Sequence, residues 1–186
     1  MVNIKRHPEY LKEQKKKYGL YTFITFLIMI ANYTFGLWLT KTPKNIFTII
    51  AVFFILGVAQ VGVRLIIYIP YKDPNAKWFD EFKDLPNYYA LWNSALITNG
   101  QKNAFFDSIL IGDSKVYCLC QDTPKNPKKA EDVMTYIFQR KGLENSLYFA
   151  YGNQNIKELI SNLKEKKIVD PSQQEEFIQI LSQHSL

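Results

Sequence analysis

No side chain from Tyr18 to Thr40 carries a charge, and its segment Tyr21-Thr-Phe-Ile-Thr-Phe-Leu-Ile-Met-Ile30 is followed by Phe35, Leu37, Trp38 and Leu39. A second uncharged run covers Asn45 to Val63. At about 1.5 Å of rise per residue each run spans a hydrocarbon layer of roughly 30 Å. Only Lys41-Thr42-Pro43-Lys44 separates them, enough to turn the chain, so the pattern predicts an antiparallel pair of transmembrane helices at about 19–40 and 46–66. Buried helices of a soluble core usually carry a polar stripe, and these are apolar all round. The first run exceeds the usual apolar stretch of a signal peptide and lacks a small-x-small cleavage site, so it reads as an uncleaved helix.

The pattern changes after Pro70. Lys72-Asp73-Pro74-Asn75 is rich in turn residues. Ala76–Lys83 reads as a short helix, and Tyr88, Leu91, Trp92, Ala95 and Leu96 at helical spacing predict another, stopped by Asn99-Gly100. Ala104–Ile111 and Lys115–Gln121 read as a β-hairpin turning at Gly112-Asp113-Ser114. Two prolines mark a loop over 122–129, and Val133, Met134, Ile137 and Phe138 then form one face of a helix that ends near Gly142. Ser146–Tyr151 reads as a buried strand. Ile156, Leu159, Ile160 and Leu163 give an amphipathic helix over Gln154–Lys167, and Asp170-Pro171 reads as the start of a last helix bearing Phe177, Ile178 and Leu181.

A strand–helix–strand connection favours a right-handed parallel crossover. The expected fold is therefore a two-helix transmembrane hairpin followed by a small α/β or α+β cytosolic domain, with a three-stranded mixed sheet and flanking helices. The expected divisions are a basic cytosolic arm over 1–17, the hairpin over 18–71 and the cytosolic domain over 72–186.

Charge refines this picture. The net charge of +6 is unevenly spread: residues 1–72 hold ten Lys and Arg against two acids, or +8, and residues 73–186 hold thirteen against fifteen, or −2. The basic residues flank the spans, with Lys5, Arg6, Lys12, Lys15, Lys16 and Lys17 before the first and Arg64, Lys72 and Lys77 after the second. By the positive-inside bias both termini face the cytoplasm, which makes this a multi-pass protein of the cell membrane. Tyr18, Tyr21, Trp38, Tyr68 and Tyr71 fall where interfacial aromatics belong. Lys12, Lys15, Lys16, Lys17 and Arg64 are the expected contacts with anionic lipid headgroups. The acidic balance of the remainder argues against a nucleic-acid partner. A residue usage heavy in Lys, Ile, Asn, Phe and Tyr suggests a bacterial chain.

Candidate chemistry is sparse. The two histidines, His7 and His184, lie near the ends of the sequence, away from Cys118, Cys120 and any serine that an imidazole would activate. Cys118 and Cys120 share one face of a strand, and two thiols without further ligands make at most half a zinc site, so they read as small apolar packing residues. No glycine-rich phosphate loop is present. Tyr151-Gly152-Asn153-Gln154 joins a strand to a helix N-terminus, where backbone N–H groups can meet an anion but an ordinary turn is the plainer reading.

Asp107 with Asp113-Ser114-Lys115 resembles the Asp…(Asp/Glu)-x-Lys signature of the PD-(D/E)xK nuclease families over nine residues. The resemblance implies a divalent metal held by the carboxylates and a lysine that polarises the attacking water. In those families the second carboxylate and the lysine lie on a strand beside the first, whereas here Asp113 falls in the turn. Within the spans, Asn32 and Gln60 are the polar exceptions and the candidate contacts to a partner helix. With no charge at mid-membrane, two helices make no ion path by themselves.

Taken together, the residues favour a non-enzymatic, membrane-anchored interaction or regulatory module without a cofactor, acting with a protein partner or as a homo-oligomer. The alternatives are a membrane-tethered metal-dependent hydrolase or nuclease using Asp107, Asp113 and Lys115, and an accessory subunit of a larger membrane complex.

Overall fold

The computed structural model describes residues 3–124, 126–164 and 172–186. The chain divides into two compact units, one built from the residues up to Tyr10 together with Asp73 onward, the other from Leu11 to Lys72.

The second unit is a pair of long helices, α1 (Tyr10–Thr40) and α2 (Ile46–Tyr68), each long and apolar enough to cross a membrane. Asn45 starts α2 by accepting the Thr48 N–H at 2.9 Å. The helices meet closely at Gly36, where a Cβ would stand 2.4 Å from that of Phe47, so glycine is what permits the approach. Near that end Phe35 packs edge-on against Phe47 at 5.5 Å, and at the other end Tyr18 stacks on Tyr68 at 5.8 Å. Large apolar side chains cover the outside, including Trp38 at 76% exposure.

The first unit is an α/β domain. Its sheet has five strands in the order β1 (Asn3–Arg6), β2 (Ala90–Thr98), β3 (Asn103–Ile111), β4 (Val116–Cys120) and β5 (Leu147–Tyr151). The three central strands form an antiparallel meander, with β1 parallel to β2 at one edge and β5 parallel to β4 at the other. Helix α3 (Ala76–Asp80) precedes β2, α4 (Pro127–Gln139) links β4 to β5, and α5 (Asn153–Lys164) and α6 (Ser172–His184) follow. The mixed sheet, the β3–β4 hairpin and the parallel crossover through α4 are as the pattern predicts.

Five strands replace the expected three. One of the additional strands, β2, comes from the segment expected to be a helix. Its apolar residues satisfy helical spacing because the strand is buried on both faces and its alternation is reset midway. Ala90 and Trp92 face the same core as Ala95 and Ile97, and between them Ser94 takes a left-handed φ of 49°. Neither Ser94 nor Asp107 across from it joins the ladder, although Asn93↔Ser108 and Ala95↔Phe106 pair on either side.

The other additional strand, β1, lies inside the segment expected to be a basic arm. Asn-Ile-Lys-Arg has one large apolar residue and shows no strand pattern, and its place is fixed from elsewhere. Trp78 Nε1 donates to Ser108 Oγ at 2.9 Å, Ser108 donates to Asn93 Oδ1 at 3.0 Å, and Asn93 Nδ2 donates to the Arg6 carbonyl at 3.0 Å. This buried relay runs from α3 through β3 and β2 to β1 and satisfies each polar group on its way. The Arg6 guanidinium lies over the Tyr10 and Trp92 rings, at 4.1 and 4.8 Å, and bonds Ser185 Oγ. The helical pair is thus an insertion in the crossover that joins two neighbouring parallel strands.

Two apolar layers enclose the sheet. On one face α4 and α6 supply Val133, Met134, Phe138, Phe177 and Leu181 against Phe106, Ile109 and Cys118. On the other, α3 and α5 supply Trp78, Ile156, Ile160 and Leu163, with Phe82 just after α3, against Leu91, Leu110 and Leu119. The predicted start of the last helix at Asp170-Pro171 lies outside the described residues.

Candidate functional site

Strands β4 and β5 are parallel neighbours and end side by side, Cys120 opposite Tyr151. From there the chain leaves in opposite directions. Helix α4, begun by Asn126 and Pro127, packs on one face, while α5 packs on the other after Gly152, whose φ of 87° turns the chain and whose N–H bonds the Cys120 carbonyl at 3.1 Å. Such divergence opens a crevice at the carboxyl ends of the strands, the usual ligand position in open α/β sheets.

A cavity of about 360 Å³ lies here, bounded by Gln121 after β4, by Asn153, Ile156 and Lys157 of α5, and by Asn75, Lys77, Trp78 and Glu81 in and around α3. Its volume suits a small molecule. Trp78 and Ile156 give apolar walls, and the amides and the two lysines offer hydrogen bonds and positive charge. Lys157 Nζ pairs with Glu81 Oε1 at 3.0 Å, so the carboxylate is engaged by a cation. No Ser, Thr, Cys or His is among the described residues that line it.

Just behind the crevice, Asp107 Oδ2 accepts the Gln121 N–H at 2.7 Å. Burial pushes the Asp107 carboxyl above its ordinary value, opposed by that hydrogen bond and reinforced by the Asp122 charge. Burial also pushes the Cys118 thiol well up and takes Cys120 to about 12, with Asp107 adding to the second. Both thiols remain protonated at neutral pH and poorly nucleophilic. The Tyr151 hydroxyl, which donates to Glu131 Oε1 at 3.0 Å, is raised by burial and by that carboxylate.

The structure does not bring Asp107, Asp113 and Lys115 together. Asp107 lies at the Gln121 end of the β3–β4 hairpin, whereas Asp113 and Lys115 form its opposite end, where Asp113 Oδ1 accepts the Ser114 N–H at 2.7 Å and Gly112 N–H bonds the Lys115 carbonyl at 2.9 Å. Beside Asp107, β4 carries Cys118-Leu119-Cys120, with neither the carboxylate nor the lysine that the nuclease resemblance requires. Among the described residues no group of three or more His, Cys, Asp or Glu side chains could hold a metal ion.

In the helical unit, Asn32 Nδ2 donates to the Phe47 carbonyl of α2 at 2.9 Å, tying the pair internally. Gln60 is exposed on α2. Arg64 donates to the Tyr18 hydroxyl at 3.2 Å, and Lys15 donates to the carbonyls of Ile69, at 3.2 Å, and Tyr71. Lys12, Lys16 and Lys17 are exposed.

Of the crevice residues, sequence reasoning had marked the Gly152-Asn153 junction. It missed Gln121, Lys157 and the α3 contributors, which come from segments up to 80 residues apart with no shared motif. Comparison of the chain with known protein families, with curated proteins and with solved structures finds no match.

Proposed function

We propose that this protein is a non-enzymatic, membrane-anchored interaction or regulatory module, in which the α1–α2 pair crosses the bilayer twice and holds the α/β domain at its cytoplasmic surface. The observation that carries the reading is the insertion of the pair between β1 and β2. Both ends of the pair are covalently continuous with one folded sheet, and a folded sheet cannot straddle a bilayer. Two crossings return the chain to the side it left. The excess of Lys and Arg on the residues that flank these ends supports the cytoplasmic side. On this reading the exposed Lys12, Lys16 and Lys17 meet anionic headgroups there, while Lys15 and Arg64 brace the helix ends.

The domain offers recognition in place of turnover. Its crevice has amides, two lysines and an engaged carboxylate, and a small polar ligand there is the signal that such a module would pass to a protein partner. Extraction of membranes from expressing cells with alkaline carbonate tests the anchoring. The full chain is expected to stay in the pellet and to dissolve only in detergent. Release into the supernatant contradicts the reading.

A further inference from the structure

The threonines of both helices and Asn32 are bonded within the pair. Thr22, Thr25, Thr34 and Thr40 bond carbonyls of the preceding turn, Thr48 bonds the Pro43 carbonyl, and Asn32 bonds Phe47. On α2, Gln60 differs from these: its amide stands exposed, with no hydrogen-bond partner among the described residues.

Its surroundings are ordered. Ile46, Ile49, Phe53, Leu56, Gln60 and Val63 follow one another at alternating spacings of three and four, and all six are exposed. The residues of α2 turned inward, among them Phe47, Ala51, Phe54 and Val58, follow the same spacing on the opposite side. One seam of α2 is therefore used within the chain, and a second of coiled-coil spacing faces outward with a single amide in it.

We propose that a second copy of this chain docks on this outward seam, α2 against α2, with the two Gln60 amides bonding each other across a two-fold axis. The inference rests on the membrane-spanning reading, because only in a bilayer does the chain's orientation fix the depth of each residue. Two copies inserted the same way carry Gln60 at the same depth, so a parallel pairing in register sets amide against amide. A primary amide donates and accepts, hence it complements itself, as an isologous contact requires. A lipid tail offers the group no partner. A lone polar residue in such a seam also fixes register.

Disulfide trapping in native membranes tests this. Leu56→Cys and Val63→Cys, on the seam, and Ile55→Cys, exposed beside it, are made singly in the full chain, in which the native thiols are buried. Mild oxidation with copper phenanthroline should give a species of twice the chain mass from the two seam variants and little from Ile55→Cys or the wild-type chain. Adding Gln60→Leu should lower that yield by about threefold to tenfold. Equal trapping at 55 and 56, an unchanged yield with Gln60→Leu, or an adduct of another mass overturns the proposal while the membrane reading stands. Each variant is also extracted with carbonate, and release of the wild-type chain overturns both.

Discussion

Phe106 and Phe23 are the same side chain in opposite surroundings. Phe106 is fully buried in the sheet, whereas Phe23 is 58% exposed on α1. The contrast extends to polar groups. In the α/β domain Asn93 and Ser108 are completely buried and linked in a relay, while on α2 an amide stands on the outside. A domain folded by water drives apolar area inward and pairs whatever polar group goes with it. A helical pair solvated by hydrocarbon, as proposed for α1 and α2, would have no such drive: its apolar side chains could stay outside while its backbone groups are satisfied within each helix. On the membrane reading proposed above, the two units obey one physics in two solvents.

The largest predicted effect separates them directly. Phe106→Ala should cost the α/β domain about 3–5 kcal/mol, through lost burial and the cavity left behind. Phe23→Ala should leave that domain's stability unchanged. Limited proteolysis of membrane-bound protein reads both: the first variant should lose its resistant domain while its helical pair stays in the carbonate pellet. Equal damage from the two substitutions would break the distinction.

Ser108→Ala comes next, because it strands the Trp78 N–H and the Asn93 oxygen in the core, and a loss of about 1–3 kcal/mol is expected from denaturant unfolding of the detergent-purified chain. Since the relay ends on β1, the amide protons of residues 3–6 should exchange faster with solvent in this variant. If their protection is unchanged, the relay does not hold β1.

Asp107→Asn should act in the other direction. Burial raises this carboxyl, so the folded state binds the proton more tightly than the unfolded chain does. Stability therefore falls as pH rises from the ordinary carboxyl value through the raised one, and the loss persists above that window. The amide removes the charge and keeps an oxygen for the Gln121 N–H. A gain of under about 1 kcal/mol is expected at neutral pH, vanishing below the ordinary carboxyl value. Thermal melts at the two pH values check the sign.

The smallest effect belongs to the mouth of the crevice. Lys157 and Glu81 are partly exposed, and Lys157→Ala should change stability by no more than about 0.5 kcal/mol. Its consequence should instead be for binding, since it removes one of two cations from the cavity. A shift in melting temperature on addition of small anions that persists in this variant would remove Lys157 from recognition.

The sequence-level pattern reads best where solvent speaks through many residues at once. Two long uncharged runs announce the helical pair, and Gly112-Asp113-Ser114 between two apolar stretches announces the β3–β4 hairpin. Strand β2 misleads because burial on both faces erases a two-residue period and Ser94 resets what remains. Strand β1 is silent because its pairing partner is 87 residues away, Asn3 against Ala90, and the groups that hold it belong to other elements. The crevice is hidden for the same reason: Lys77, Gln121 and Lys157 acquire a common meaning only when β4 and β5 end together.

The central claim is that the helical pair leaves one folded sheet, crosses the bilayer and returns. Single cysteines at Lys5 in β1, at Thr42 in the turn between α1 and α2, and at Gln101 in the turn between β2 and β3 test it, when labelled with a membrane-impermeant maleimide in sealed vesicles of known orientation. The account predicts that Lys5→Cys and Gln101→Cys label together from the cytoplasmic side and that Thr42→Cys labels only from the opposite side. Labelling of all three from one side, or of Lys5→Cys and Gln101→Cys from different sides, would contradict it.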